Sequence, residues 1–239
     1  MSVEFVPAAV VRDLESRVAQ ARRQAEEPRA GGCDDPNKAE YWEELFEANA
    51  AAALAVLGRV QLPLGYVVRY RFFGRRGGDL LVRPFVARAT TDVSTIRQLI
   101  DWHPPPDSVA PALRGRLSRD VEFLYRHFTF ERSVAGYFEY WIAMQELWAS
   151  ARWVHSRVIA DAAEFTAVAG SDDWQVNHPV ERFEPAVVIE DGRTQLAVLL
   201  HCALDRQAIT LHRIEIGADQ EVQFVDAIAV AQGPRGYMM

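Results

Sequence analysis

Between residues 181 and 231 the chain runs in short stretches of alternating apolar and polar residues, punctuated by turn signals at intervals that suit four antiparallel β-strands. Asp191-Gly192 is a two-residue hairpin signal, Asp205-Arg206 a weaker one, and Gly217 to Gln220 reads as a four-residue loop. Taken literally, these turns pair Glu190 with Arg193, Leu204 with Gln207 and Ile216 with Glu221. One face then collects Phe183, Val187, Ile189, Leu196, Val198, Leu200, Cys202, Ile209, Leu211, Phe224 and Ile228 as core. The other carries Arg182, Glu184, Leu199, His201, Thr210, His212 and Val225.

That second face holds the candidate chemistry. In this register Arg182 lies opposite His201, His212 sits one diagonal away, and Glu184 is placed to favour a charged imidazole. The four residues suit a general acid/base pair or an anion pocket. The arrangement depends on the Asp205-Arg206 turn, because a one-residue slip there turns a whole strand over. Arg213 and Asp226 fall diagonal to each other on the core face and read as a structural ion pair.

Upstream, Val11, Leu14, Val18, Ala21 and Ala25 recur at three- and four-residue spacings, predicting an amphipathic helix over 8–27. Asp35-Pro36 opens a second helix whose apolar face runs through Trp42, Leu45, Phe46, Ala53 and Val56, so the two pair as a helical hairpin. Glu40, Glu43, Glu44 and Glu47 crowd its start, where the helix dipole favours negative charge. From Gly65 the period becomes two, predicting a β-hairpin with a glycine-rich tip. Its Arg69, Arg71, Arg75, Arg76, Arg83 and Arg88 interleave with Tyr70, Phe72, Phe73 and Phe85. Cations among aromatics suit a phosphate, single-strand or acidic-partner surface. The turn lacks Walker spacing and its lysine.

Residues 90–111 read as a connector with a short helix near 94–102 and then Pro104, Pro105 and Pro106. The stretch 117–168 is helical in character and aromatic-rich, with a break near 129–136. Its second half keeps Tyr137, Trp141, Met144, Trp148, Ala151, His155, Val158, Ala162 and Phe165 on one stripe, predicting a long core helix against the sheet.

Composition bounds the rest. The 239 residues are 49% hydrophobic, which places the chain among globular proteins. No run of 18 apolar residues predicts a membrane span, and no basic apolar leader precedes Glu4, so a cytoplasmic protein without a membrane partner is expected. A net charge of −7 argues against a general nucleic-acid coat protein. Lys38 is the only lysine among 26 basic residues. Cys33 and Cys202 have neither disulfide-framework nor zinc spacing. His103, His127 and His178 have no partner in register. HExxH, GxSxG and GxGxxG patterns are absent, so no metal or cofactor is expected.

The expected architecture is one α+β domain: a helical hairpin (1–62), a β-hairpin with connector (63–112), then helix and antiparallel meander (113–239). Its element order resembles that of cone folds of the nuclear-transport-factor-2 type, and the resemblance implies a pocket between sheet and helices. Three functions compete on sequence alone. One is a non-catalytic binding or assembly subunit of a larger cytoplasmic, phage or secretion-type complex, held by a protein partner or as a homo-oligomer. The second is a small-molecule hydrolase or isomerase using His201, His212, Glu184 and Arg182. The third is binding of nucleic acid or an acidic partner through the arginine hairpin.

Overall fold

The computed structural model describes residues 3–25, 35, 37–76, 79–91, 127–148, 156–190, 193–203 and 206–236. In chain order the elements are β1 (Val3–Phe5), α1 (Ala8–Ala25), α2 (Ala39–Val56), β2 (Val60–Gln61), β3 (Tyr66–Arg76), β4 (Asp79–Arg88) and β5 (Thr129–Phe130). They continue as α3 (Val134–Trp148), β6 (Ser156–Val158), α4 (Ala162–Ala169), β7 (Gln175–Val176), β8 (Ala186–Glu190), β9 (Arg193–Cys202), β10 (Arg206–Ile216) and β11 (Val222–Arg235). The α+β class, the N-terminal helices, the β3–β4 hairpin and the meander are as the patterning predicts. The predicted connector and its helix, Pro104 to Pro106, Cys33, His103 and His155 lie outside the described residues.

The meander is the centre of a seven-stranded sheet ordered β1-β8-β9-β10-β11-β7, with β6 added beside β9. Its first turn behaves as expected, pairing Glu190 with Arg193. At the second, the register slips by one: Cys202 faces Ala208, His201 faces Ile209, and His212 faces Val198. This corrects the predicted faces. Ile209 and Leu211 join Leu199 and His201, while His212, Ile214 and Ile216 join Val198 and Leu200. The slip is favoured by burial, because it sends Ile214 and Ile216, both nearly inaccessible, into the larger core. The third turn also gains a residue: Ile216 pairs with Val222, and Gln220 takes the left-handed conformation at φ 71°. Gly217 N–H then donates to the Glu221 carbonyl at 3.0 Å.

One face of this sheet packs on α1, α2, α3 and the β3–β4 hairpin, in a core that runs from Val11, Leu14 and Phe46 through Trp141 and Met144 to Leu196, Val198 and Ile214. Among the described residues, the other face is covered at one end, where α4 and the 170–185 segment bring Phe165, Trp174 and Phe183 onto Leu199, Ile209 and Val230. The open end of that face carries the exposed pair Arg213–Asp226 at 3.3 Å. These two are direct cross-strand partners on the open face, rather than a diagonal pair on the core face as predicted, because the slipped register turns Arg213 outward.

The predicted long helix is divided. Helix α3 is apolar around most of its circumference and is buried, with Tyr137, Phe138, Tyr140, Trp141, Ile142, Ala143, Met144 and Leu147 all in the core. Ser156 to Val158 instead extend as a strand on β9, and a new helix starts at Ala162. Asp161 is its N-cap: the carboxylate accepts from Glu164 N–H at 2.8 Å, and Glu164 reaches back to Ala160 N–H at 2.8 Å. Helix α2 starts later than predicted, since the Asp35 carboxylate is spent on Asn37 N–H at 3.0 Å and Lys38 occupies the N-cap.

Candidate functional site

The slipped register brings β10 and β11 against α3 around one concavity, and another of about 330 Å³ lies on the sheet beside Val188, Gln195, Arg213 and Val225. Because β10 is turned over, the His212 side chain faces α3, where Trp141, Met144 and Gln145 line the opposite wall and Ile214, Val222 and Phe224 close the sheet side. The cavity measures about 310 Å³. Trp141 and Met144, both nearly inaccessible, form its interior, and Phe224, 60% exposed, forms its rim. Phe224 meets the His212 imidazole edge-on, with ring centroids 5.4 Å apart. Burial among these apolar groups lowers the His212 pKa, so the neutral imidazole is favoured. The β10–β11 turn that frames the cavity is tied to α3 by Tyr140, whose hydroxyl donates to the Gln220 carbonyl at 2.8 Å.

The other three residues of the predicted cluster are elsewhere. His201 lies on the opposite face of the sheet, with Trp174 at 5.9 Å between ring centroids and its Nε2 at 3.3 Å from Gln207 Oε1. Burial lowers its pKa, a hydrogen bond with Gln207 opposes the shift, and Arg157 adds to it. Trp174 reaches this position over Gly233, where a Cβ would come within 2.5 Å of the indole. Strand β8 begins only at Ala186, so Arg182 and Glu184 precede it, and Arg157 of β6 takes the place beside His201 that Arg182 was expected to hold. The Arg182 guanidinium lies over the Phe5 ring at 4.3 Å. None of His201, Arg182 and Glu184 lines the His212 cavity.

The arginine hairpin finds acidic partners within the chain. Arg69 pairs with Glu47 at 2.5 Å and Arg71 with Glu43 at 3.1 Å. The same carboxylates accept from the strand itself, Glu43 from Phe72 N–H at 3.0 Å and Glu47 from Tyr70 N–H at 3.4 Å. Spaced four apart on α2, these two residues thus cover the edge of β3. Burial raises the Glu47 pKa, with Arg69 opposing. The side chains of Arg75, Arg76 and Arg83 lie outside the described part of the structure.

A second polar group is largely buried. Glu146 of α3 is ion-paired with Arg22 of α1, and Glu15 of α1 accepts from Val158 N–H at 2.8 Å. The Tyr70 hydroxyl donates to the Leu147 carbonyl at 2.9 Å, and burial raises its pKa. At the end of α1, Arg12 is paired with Asp161 and Glu164. These contacts tie α1 to α3, β6 and α4, with the Arg22–Glu146 pair largely buried and the Arg12–Asp161 pair at the surface. Among the described residues, no group of three or more His, Cys, Asp or Glu is arranged to hold a metal ion. Among the same residues, no helix is long and apolar enough to cross a membrane.

Sequence patterning does identify Trp141 and Met144 as sheet-facing, but not what they face. Gln145, Ile214, Val222 and Phe224 become cavity residues only through the slipped register. The one local signal for the divided helix is Asp161-x-x-Glu164, which has the form of a capping box inside an otherwise helical stripe. No family model, no curated protein and no solved structure matches this chain.

Proposed function

We propose that this chain is a non-catalytic binding protein for a small molecule held between α3 and the β10–β11 hairpin. The observation that supports this reading is the His212 cavity itself: about 310 Å³, walled by Trp141, Met144, Ile214, Val222 and Phe224, with polar groups supplied by His212 and Gln145. Small-molecule sites combine apolar walls with polar groups that fix orientation, and here the two kinds of surface are about equal. Catalysis is not the favoured reading because a general base needs an orienting partner, and the carboxylate that sequence assigned to that role, Glu184, is not in the cavity. The arginine hairpin is not the favoured site either, because Arg69 and Arg71 are already neutralised by Glu47 and Glu43.

A fragment screen by thermal shift tests the proposal. Ligands of the cavity stabilise the folded chain in proportion to their saturation of it. Their effect is expected to vanish in Val222→Trp, whose indole fills the space. If hits stabilise Val222→Trp as well as the unmodified chain, the site lies elsewhere and the proposal fails.

A further inference from the structure

The side chains that line the cavity define the chemistry it accepts. Four of them, Met144, Ile214, Val222 and Phe224, offer only apolar or aromatic surface, and Trp141 adds an indole N–H to an aromatic face. Gln145 and a neutral His212 each present both a hydrogen-bond donor and an acceptor and no formal charge. Among the charged side chains nearest in sequence, Glu221 is exposed with Gln223 Nε2 at 3.4 Å, and Glu215 lies 3.7 Å from Arg193. Glu146 is paired with Arg22 on the far side of α3, and Arg213 with Asp226 on the other face of the sheet. An ion held against Trp141, Met144 and Ile214 would lose part of its hydration with no charged group in the lining to replace it, a loss that neutral groups avoid. Shape narrows the choice further. An apolar cavity of about 150 Å³ holds a benzene ring, so about 310 Å³ takes one or two rings. The edge-on contact of Phe224 with His212 leaves aromatic surface at the rim for stacking.

We infer that the ligand is an uncharged molecule of one or two aromatic rings bearing an amide-like group, which gives one hydrogen bond to and takes one from the Gln145–His212 pair. This rests on the reading of the cavity as the binding site.

Benzamide, benzoate and benzamidinium test it, because the three are planar, nearly identical in size and differ in charge. Saturation-transfer NMR on the full chain at neutral pH is expected to show benzamide bound at least about tenfold more tightly than either ion, a gap of about 1.4 kcal/mol. That binding is expected to disappear in Val222→Trp and to weaken in Phe224→Ala, a change at an exposed rim position that leaves the interior intact. If benzoate or benzamidinium binds as tightly as benzamide, and that binding is lost in Val222→Trp, the inference of a neutral ligand is overturned while the cavity stands as the site. If none of the three binds, or if binding is indifferent to both variants, the inference and the proposed site fall together.

Discussion

Arg22 of α1 and Glu146 of α3 form an ion pair inside the protein, their side chains 15% and 4% exposed. Burial is the main influence on this carboxyl, raising its pKa from 4.5 to about 7 against the opposing pull of Arg22. Glu15, on the same helix as Arg22, is likewise raised to about 7 by burial, with the Val158 N–H and Arg157 opposing and Glu164 adding to the rise. A carboxyl raised in the folded state is relatively easy to bury when protonated and costly when ionised. Its folding advantage is therefore complete below 4.5 and is lost as pH rises to about 7. For Glu146 alone the change is on the order of 2–3 kcal/mol. Thermal unfolding is expected to show lower stability at pH 8 than at pH 6, with a flatter profile in Glu146→Gln and Glu15→Gln. Equal pH dependence in the variants would show that other groups set the profile.

Removing one member of this pair tests its energetics separately. Arg22→Ala leaves the Glu146 carboxyl buried without its partner, a loss of about 3–5 kcal/mol when a buried pair is broken. The double change Arg22→Met with Glu146→Leu removes both charges and keeps apolar volume, so most of that loss is expected to return. Chemical denaturation of the three proteins checks the order, and a double variant no more stable than Arg22→Ala would contradict it.

Glu43 is predicted to be worth more to stability than its place in an acidic run implies. Its side chain is 6% exposed, and Glu43 Oε1 lies within 3.1 Å of Arg71 Nη1 and accepts from Phe72 N–H. Glu43→Ala strips the β3 edge of both contacts, and a cost of about 2–4 kcal/mol follows from leaving a backbone donor and a guanidinium poorly satisfied. Denaturant unfolding is the measurement. A loss below about 0.5 kcal/mol, the scale of an exposed ion pair, would show that Glu43 acts only as a surface charge.

What was legible in the sequence follows the length of the interactions that decide it. Val11, Leu14 and Val18 announce α1 because helix periodicity is local, and Asp191-Gly192 fixes its turn because two residues contain the whole instruction. The Asp205-Arg206 turn contains no such instruction. Its register is set by the burial of Ile214 and Ile216 against helices more than sixty residues away in sequence, which no window around the turn can report. His201 and His212 accordingly separate onto two faces, and the predicted four-residue cluster dissolves with them. Likewise the Glu40 to Glu47 run reads as a dipole effect when α2 is considered alone. Its pairing with Arg69 and Arg71 is a tertiary fact that charge counting along the chain does not contain.

The position of His212 predicts how the cavity responds to acid. Burial lowers its pKa from the ordinary 6.5, so the imidazole is neutral at pH 7 and its protonation is resisted by the folded state. A group depressed in this way contributes stability that is present above 6.5 and is lost as pH falls through its lower folded value. Once protonated, His212 can only donate, and it places an unpaired charge against Trp141, Met144 and Phe224. Benzamide affinity is therefore expected to be constant from pH 8 to pH 7 and to fall at pH values below the ordinary imidazole 6.5. In His212→Gln, which keeps a donor and an acceptor but does not titrate, it should stay level over the whole range. Titrations of both proteins across pH 5 to 8 distinguish the cases. An acid-induced loss of equal size in His212→Gln would assign the effect to another group, and a level profile in the unmodified chain would remove His212 from contact with the ligand.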